Sequence, residues 1–268
     1  MGLVTTLRQQ ELRSGLHSLL PMHEQMSFAL LQLDKDRYHF ESQALESALV
    51  LIQGEATVSL ETESFAKSSA FEPDQKQQTL CIRRQHWQEE NPFVLHLSPH
   101  SSVTIASDTQ CRFGLVQTPN AQTFASRVYL PTEVTTEHRG KGLLGDAAYR
   151  RVRTVFDASI APPEAQLVLG EVVNFPGCWS SYPPHHHLQN ELYYYEFDPI
   201  VGFGFGQCGE TVERIHHQDL LFIDGAKDHA QVAAPGYWMY YIWAIRHGEE
   251  IYKGFEYTAP HDRLVTGL

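Results

Sequence analysis

The chain has 268 residues, 42% of them hydrophobic and 19% charged, with a formal net charge of −12. That length admits one large β domain or two of about half the size, and the composition is that of a globular protein with ample core material. The negative balance excludes a nucleic-acid binder, which would carry a basic face, and fits poorly with an anionic membrane surface. An anionic substrate stays open to it through local Arg, Lys or metal charge.

In chain order, residues 3–20 predict a short helix, and the stretch Met1–Arg8 shows no apolar h-region. Residues 48–52 and 56–60, joined at Gly54, predict a hairpin. The segment 62–92, rich in Ser, Gln, Glu and Lys, reads as a long polar surface connection. Strands are expected at 93–97, 102–106 and 112–116. Residues 118–150 read as an inter-domain connection, with 136–142 as an ordered or ligand-facing loop, and 146–155 predicts a second helix. Strands then follow at 166–169, 171–173, 191–197, 202–205, 219–223 and 237–245, punctuated by Gly and Pro as in a sandwich or barrel. No stretch reaches membrane-span length. Gly202-Phe203-Gly204-Phe205-Gly206 is flanked by strands with no helix pattern after it, so it is not a dinucleotide fingerprint.

The two halves overlay in order: 48–52 falls on 191–195, and 95–106 on 221–232. This suggests a duplicated β unit, with Ala48 and Val103 standing where the second copy has Glu191 and His229. The expectation is an N-terminal barrel over 1–135 without metal ligands, and a connection plus metal-binding barrel over 136–268. Cys81, Cys111, Cys178 and Cys208 form no C-x-x-C pair. Free thiols in a reducing cytoplasm are therefore expected, with Cys178 or Cys208 as an alternative metal ligand.

The chemistry concentrates in Pro184-His185-His186-His187-Leu188-Gln189-Asn190-Glu191 and, downstream, His229. On an extended strand His185 and His187 leave the same face and His186 the other. Three imidazoles and a carboxylate make a mixed N/O set suited to a borderline divalent cation such as Zn, Mn, Fe, Ni or Co. The competing reading is a polar loop that happens to be rich in His.

Four stretches resemble the KduI/IolB family of bicupin sugar-acid isomerases: Arg139-Gly140-Lys141-Gly142, Arg150-Arg151-Val152, Gly170-Glu171-Val172 and Trp179-Ser180-Ser181-Tyr182-Pro183-Pro184-His185-His186-His187. Gly202-Phe203-Gly204-Phe205 and Ala234-Pro235-Gly236-Tyr237 agree as well. The resemblance implies an all-β fold of two jelly-roll-like cupin barrels with few short helices. It implies His185, His187, Glu191 and His229 as ligands of one divalent ion per chain, zinc first. Two departures stand out: Gly177-Cys178-Trp179 replaces Gly-Asn-Trp, and only three residues separate the H-x-H pair from Glu191.

The implied reaction is a metal-dependent aldose–ketose isomerisation of a deoxy-hexuronate, 5-deoxy-glucuronate first. Such chemistry needs a Lewis acid at the carbonyl and a general base near neutral pKa. Glu171, Tyr193 and Tyr241 are candidate catalytic residues, strand alternation setting Glu191, Tyr193 and Tyr195 on one face. The substrate carboxylate needs a cation, for which Arg150, Arg139 and Lys141 are candidates, and Tyr182 is a further candidate contact. The expected partner is a small sugar acid, without nucleic acid or membrane; homo-oligomerisation is left open. A ketol-isomerase of unsaturated-uronate products, an iron dioxygenase and a sugar-binding module are the competing functions.

Overall fold

In the computed structural model, which describes residues 3–6, 13–71 and 75–266, the chain is almost entirely β-strand. The α-helix of the described residues is four residues long, Arg263–Thr266. No helix among them is long and apolar enough to cross a membrane. The described chain divides into two compact units, one of 13–135 with 159–167 and the other of 3–6, 136–158 and 168–266.

The first unit is built on three long strands, Met26–Glu41, Leu45–Glu61 and Ser102–Pro119. Its antiparallel sheet runs in the order Gly15–His23, Met26–Glu41, Ser102–Pro119, Leu45–Glu61, Val94–Leu97, Arg127–Tyr129. Gln77–Arg84 also pairs with Leu45–Glu61. The expected hairpin at Gly54 is therefore one continuous strand, and 102–106 with 112–116 is another. Gly54 (φ +107) is needed for a different reason: a Cβ there would lie 2.4 Å from the Gln110 carbonyl oxygen and 2.6 Å from Cys111 Cα. The register slips on both sides of Gln53. Leu49 and Leu51 face the core before the slip, and Ala56, Val58 and Leu60 after it. Without that extra residue every apolar side chain beyond Gly54 would turn to the opposite face.

A similar shift between Asp34 and Asp36 carries Leu31 and Leu33 over to Phe40. The interior so closed is apolar, joined by Leu95, Val103, Phe113 and Leu115. Ala48 lies outside this core whereas Leu49 and Leu51 lie in it, so an overlay that sets Ala48 on Glu191 is one residue out of phase. Residues 62–92 are not a plain connection either, since Gln77–Arg84 is a paired strand within them.

The second unit has a seven-stranded sheet. Its order is Leu3–Thr6, Asp219–Ile223, Glu191–Asp198, Trp238–Arg246, Leu167–Asn174, Arg150–Phe156, Thr135–Arg139. A four-stranded sheet runs Trp179–Ser180, Gln231–Ala233, Phe203–Cys208, Thr211–His216. Tyr193, Tyr195, Tyr241, Val152 and Val172 from the first share one core with Cys208, Ile215 and Ala233 from the second. Each large side chain fully buried there contributes about 1.5–3 kcal/mol.

Both helices expected from sequence are strands. Leu3–Thr6 pairs with Asp219–Ile223 and Gly15–His23 with Met26–Glu41; residues 7–12 of that expectation lie outside the described residues. Arg150–Phe156 pairs with the Leu167–Asn174 strand. The Ala-Ala and Arg-rich start of 146–155 favours a helix locally, and cross-strand pairing overrides that weak preference.

Candidate metal centre and active site

His185 and His186 form a two-residue strand against Glu256–Tyr257. After Leu188 and Gln189 the chain enters Glu191–Asp198, a central strand flanked by Asp219–Ile223 and Trp238–Arg246. The 224–230 loop closes on this entry. Ala226 N donates to the His187 carbonyl at 2.6 Å, and Gly225 N to Asn190 Oδ1 at 2.9 Å. A Cβ on Gly225 would sit 2.0 Å from the Leu188 carbonyl oxygen, so glycine is required for this approach. The loop thereby delivers His229 to His187 and Glu191.

Ligand atoms of His187, Glu191 and His229 all lie within 4.8 Å of one another, and all three residues are buried. His187 Nε2 is 3.1 Å and His229 Nε2 3.4 Å from Glu191 Oε2. His229 Nδ1 donates to the Lys227 carbonyl at 2.9 Å, which leaves Nε2 as the lone-pair nitrogen. His185 stands beside this group, its ring centroid 4.7 Å from that of His229. Its Nδ1 donates to the Pro183 carbonyl at 3.1 Å, so its Nε2 is likewise the lone-pair atom.

Burial, with the neighbouring His229 adding to it, pushes the His185 pKa down to about 2. Burial also lowers His229. Neutral imidazoles with a carboxylate are the ligating forms a divalent ion requires, and the buried His187 Nδ1 has no hydrogen-bond partner. The donor set fits a divalent cation. Among the described residues it is the group of this kind that the structure brings together.

His186 points elsewhere, its Nδ1 3.0 Å from Thr258 Oγ1 and 3.5 Å from Asp228 Oδ1. The sulfur candidates are also apart from the group. Cys178 Sγ donates to the Asp146 carbonyl, and Cys208 is in the core.

Tyr193 and Tyr241 line the space next to the imidazoles. The Tyr193 ring is 5.9 Å from His229 and stacks on Tyr241 at 4.5 Å. Tyr241 OH donates to Ser180 Oγ at 2.8 Å, and Ser181 Oγ lies 3.1 Å from Tyr193 OH. Burial pushes the Tyr241 hydroxyl up to about 12 and Tyr193 well above the ordinary value. At neutral pH both are therefore protonated donors rather than bases.

Glu171 is the correction. Its register partner is Arg153, next to the inward-facing pair Val152–Val172. Alternation therefore places Glu171 on the sheet face opposite Tyr193 and Tyr241. It holds Arg153 Nη1 at 2.7 Å and accepts from Tyr240 OH at 2.8 Å, in an ion pair only 1% exposed on either side. Its two oxygens are engaged there.

Of the cationic candidates, Arg139 is a half-exposed partner of Glu137 at 2.8 Å. Lys141 is exposed, 5.9 Å above the Tyr149 ring. Arg150 is buried, and its Nη1 donates to the Ala148 carbonyl at 2.9 Å. Tyr182 packs on Trp179 with ring centroids 5.5 Å apart.

Sequence reasoning missed three aromatics of the 247–258 segment. Tyr252 is 5.1 Å from His187, Phe255 stacks on His185 at 4.0 Å, and Tyr257 is 6.3 Å from His185. No periodic pattern marks that segment. Ser180 and Ser181, by contrast, were visible in the Trp179–His187 string.

The chain is similar to known proteins over most of its length. It is 27% identical over 240 residues to the 5-deoxy-glucuronate isomerase of Geobacillus kaustophilus, covering 84% of this chain and 80% of that one. Its fold is similar to that of an IolB-like protein from Salmonella typhimurium LT2, with a TM-score of 0.77, 21% identity and 98% of both chains covered. The oxalate decarboxylase of Lactobacillus farciminis shares the fold at a TM-score of 0.64, with 10% identity and 95% and 88% of the two chains covered. With a match to the KduI/IolB family over residues 8–263, the chain belongs to that family.

Proposed function

We propose that this protein is a metal-dependent aldose–ketose isomerase of a deoxy-hexuronate, converting 5-deoxy-glucuronate to 5-dehydro-2-deoxy-gluconate. The observation that carries the reading is the buried His187–Glu191–His229 group beside Tyr193 and Tyr241, in a chain similar to 5-deoxy-glucuronate isomerases. His185, His187, Glu191 and His229 hold one divalent ion, zinc first. The protein works in the cytoplasm, which its unpaired cysteines support. Of two cupin-type barrels, 1–135 and 136–268 except that Leu3–Thr6 pairs within the second sheet and 159–167 groups with the first unit, only the second carries the reaction; the apolar interior of the first unit supports this.

Isomerisation moves a hydrogen from the hydroxyl-bearing carbon to the neighbouring aldehyde carbon through an enediol. A bound divalent ion supplies Lewis-acid polarisation of the carbonyl. The protein's residues orient the imidazoles and the substrate oxygens. Pro183 and Lys227 carbonyls fix the His185 and His229 rings through their Nδ1 atoms. Tyr193, protonated, offers a hydroxyl donor to substrate oxygens where charge develops, with Ser181 Oγ 3.1 Å from it. Tyr241 gives its own proton to Ser180 and stacks on Tyr193, which holds that ring in place. The 252–257 aromatics exclude water from the imidazoles. Arg139, Lys141 and Tyr182 are further contacts for the substrate in this reading.

The test is reconstitution with Zn, Mn, Fe, Ni or Co followed by assay on 5-deoxy-glucuronate. Interconversion should need the metal and neither NAD, ATP nor O2. In D2O, deuterium on the product carbon supports the enediol route. O2-dependent turnover of another substrate, with no uronate interconverted, would replace this reading by a dioxygenase.

A further inference from the structure

Among the described residues Arg150 is a cation without a carboxylate. The strand that carries it alternates Arg150, Val152 on one face and Arg151, Arg153 on the other. Val152 belongs to the core that contains Tyr193 and Tyr241, so Arg150 faces the same interior as the candidate metal group. It is 7% exposed. A guanidinium has five N–H donors, and the one hydrogen bond formed here runs from Nη1 to the Ala148 carbonyl.

Among the described residues the other buried guanidiniums have more partners. Arg153 is ion-paired to Glu171, and Arg84 is held by the Leu51 and Glu90 carbonyls. Burial lowers the Arg150 pKa, with Tyr241, Arg139, Tyr257 and Tyr193 as the nearby titratable groups that act on it. Its inward face is the one that Val152 shares with Tyr193 and Tyr241. Of its neighbours in the sequence patterns, Lys141 is exposed and the half-exposed Arg139 already has Glu137.

We propose that Arg150 is the receptor for the substrate's carboxylate and so restricts the site to sugar acids. The proposal rests on the isomerase reading for the identity of the substrate, and on the unpaired guanidinium for the chemistry. A buried charge without a partner is unfavourable. A ligand carboxylate taken bidentately supplies the missing counter-charge and two of the missing hydrogen bonds in one step. A lysine cannot reproduce the planar fork. A cation in this position also fixes which end of the chain-like sugar acid faces away from the aldehyde.

The experiment uses the full-length, metal-loaded protein and calorimetric titration with D-glucuronate and with D-glucose, the neutral counterpart. Wild type should prefer the acid, and Arg150→Ala should cut that preference roughly 10- to 100-fold, with metal content unchanged. Arg150→Lys should restore little of it. Steady-state assays on 5-deoxy-glucuronate should show the loss in KM far more than in kcat.

A second measurement does not need ligand: the metal-free Arg150→Met variant should melt at or above wild type, because it removes an uncompensated charge. Melting well below wild type would mean a structural ion pair and would overturn the proposal. So would an acid preference that survives Arg150→Ala. An Arg150-dependent preference in a protein that isomerises nothing would retain the receptor and remove the isomerase. Isomerisation with an unchanged KM in Arg150→Ala would do the reverse.

Discussion

Glu171→Gln separates a structural carboxylate from a catalytic one. The native side chain holds Arg153 Nη1 at 2.7 Å and Tyr240 OH at 2.8 Å, with both members of the ion pair 1% exposed. Removing one member of such a pair leaves an uncompensated buried charge, at a cost of about 3–5 kcal/mol. The amide oxygen keeps one acceptor for either Arg153 or Tyr240, and a hydrogen bond to a charged group contributes about 1.5–3 kcal/mol. The expected net destabilisation is therefore about 1–3 kcal/mol. In urea that moves the unfolding midpoint down by about 1 M, followed by tyrosine fluorescence and far-UV circular dichroism together. The kcat of the folded fraction should stay within about twofold of wild type. The opposite pattern, unchanged stability with kcat reduced about 100-fold or more, would refute the placement of Glu171 on the outer sheet face.

Four further substitutions test the site and the first unit. Purified wild type should contain about one divalent ion per chain by elemental analysis; His187→Ala should lose most of it and His186→Ala should not, and equal losses would show that the two histidines do not lie on opposite faces. Tyr193→Phe keeps the stack on Tyr241 but removes the hydroxyl, so kcat should fall about 100-fold with the melting temperature nearly unchanged; an unaltered kcat would leave Tyr193 as packing. In the first unit, burial by itself would raise the Glu46 carboxyl, but His96, the Gln166 N–H and the Asn120 amide outweigh it and hold it below its ordinary value. A depressed carboxyl stabilises the fold above the unfolded pKa near 4.3 and loses that contribution as pH falls through the folded value. Glu46→Gln should accordingly lower stability at pH 7 and flatten its decline below about pH 4, and an acid limb identical to wild type would count against this account.

The sequence by itself determined what depends on local alternation. Two-residue spacing set His185 and His187 each beside His229 and turned His186 away, because successive strand side chains point to opposite faces. The same rule set Tyr193 and Tyr195 on one face with Glu191. A dense alternation of short β-prone runs with Gly and Pro was enough for an all-β fold. Pairing between distant strands decided everything else. The helix-favouring start of 146–155 became a strand because Leu167–Asn174 was there to pair with it. Gly54 became a bulge contact rather than a turn because Gln110 and Cys111 approach it from a strand more than fifty residues away. Glu171 read as a free acid in one dimension and proved to be the partner of Arg153, since only cross-strand register brings the two within 2.7 Å. Tyr252 and Phe255 carry no periodic signal, and they reach the imidazoles only because Glu256–Tyr257 returns to pair with His185–His186. Local periodicity fixes which face a side chain takes; what it meets there is set by contacts distant in sequence, which no local pattern encodes.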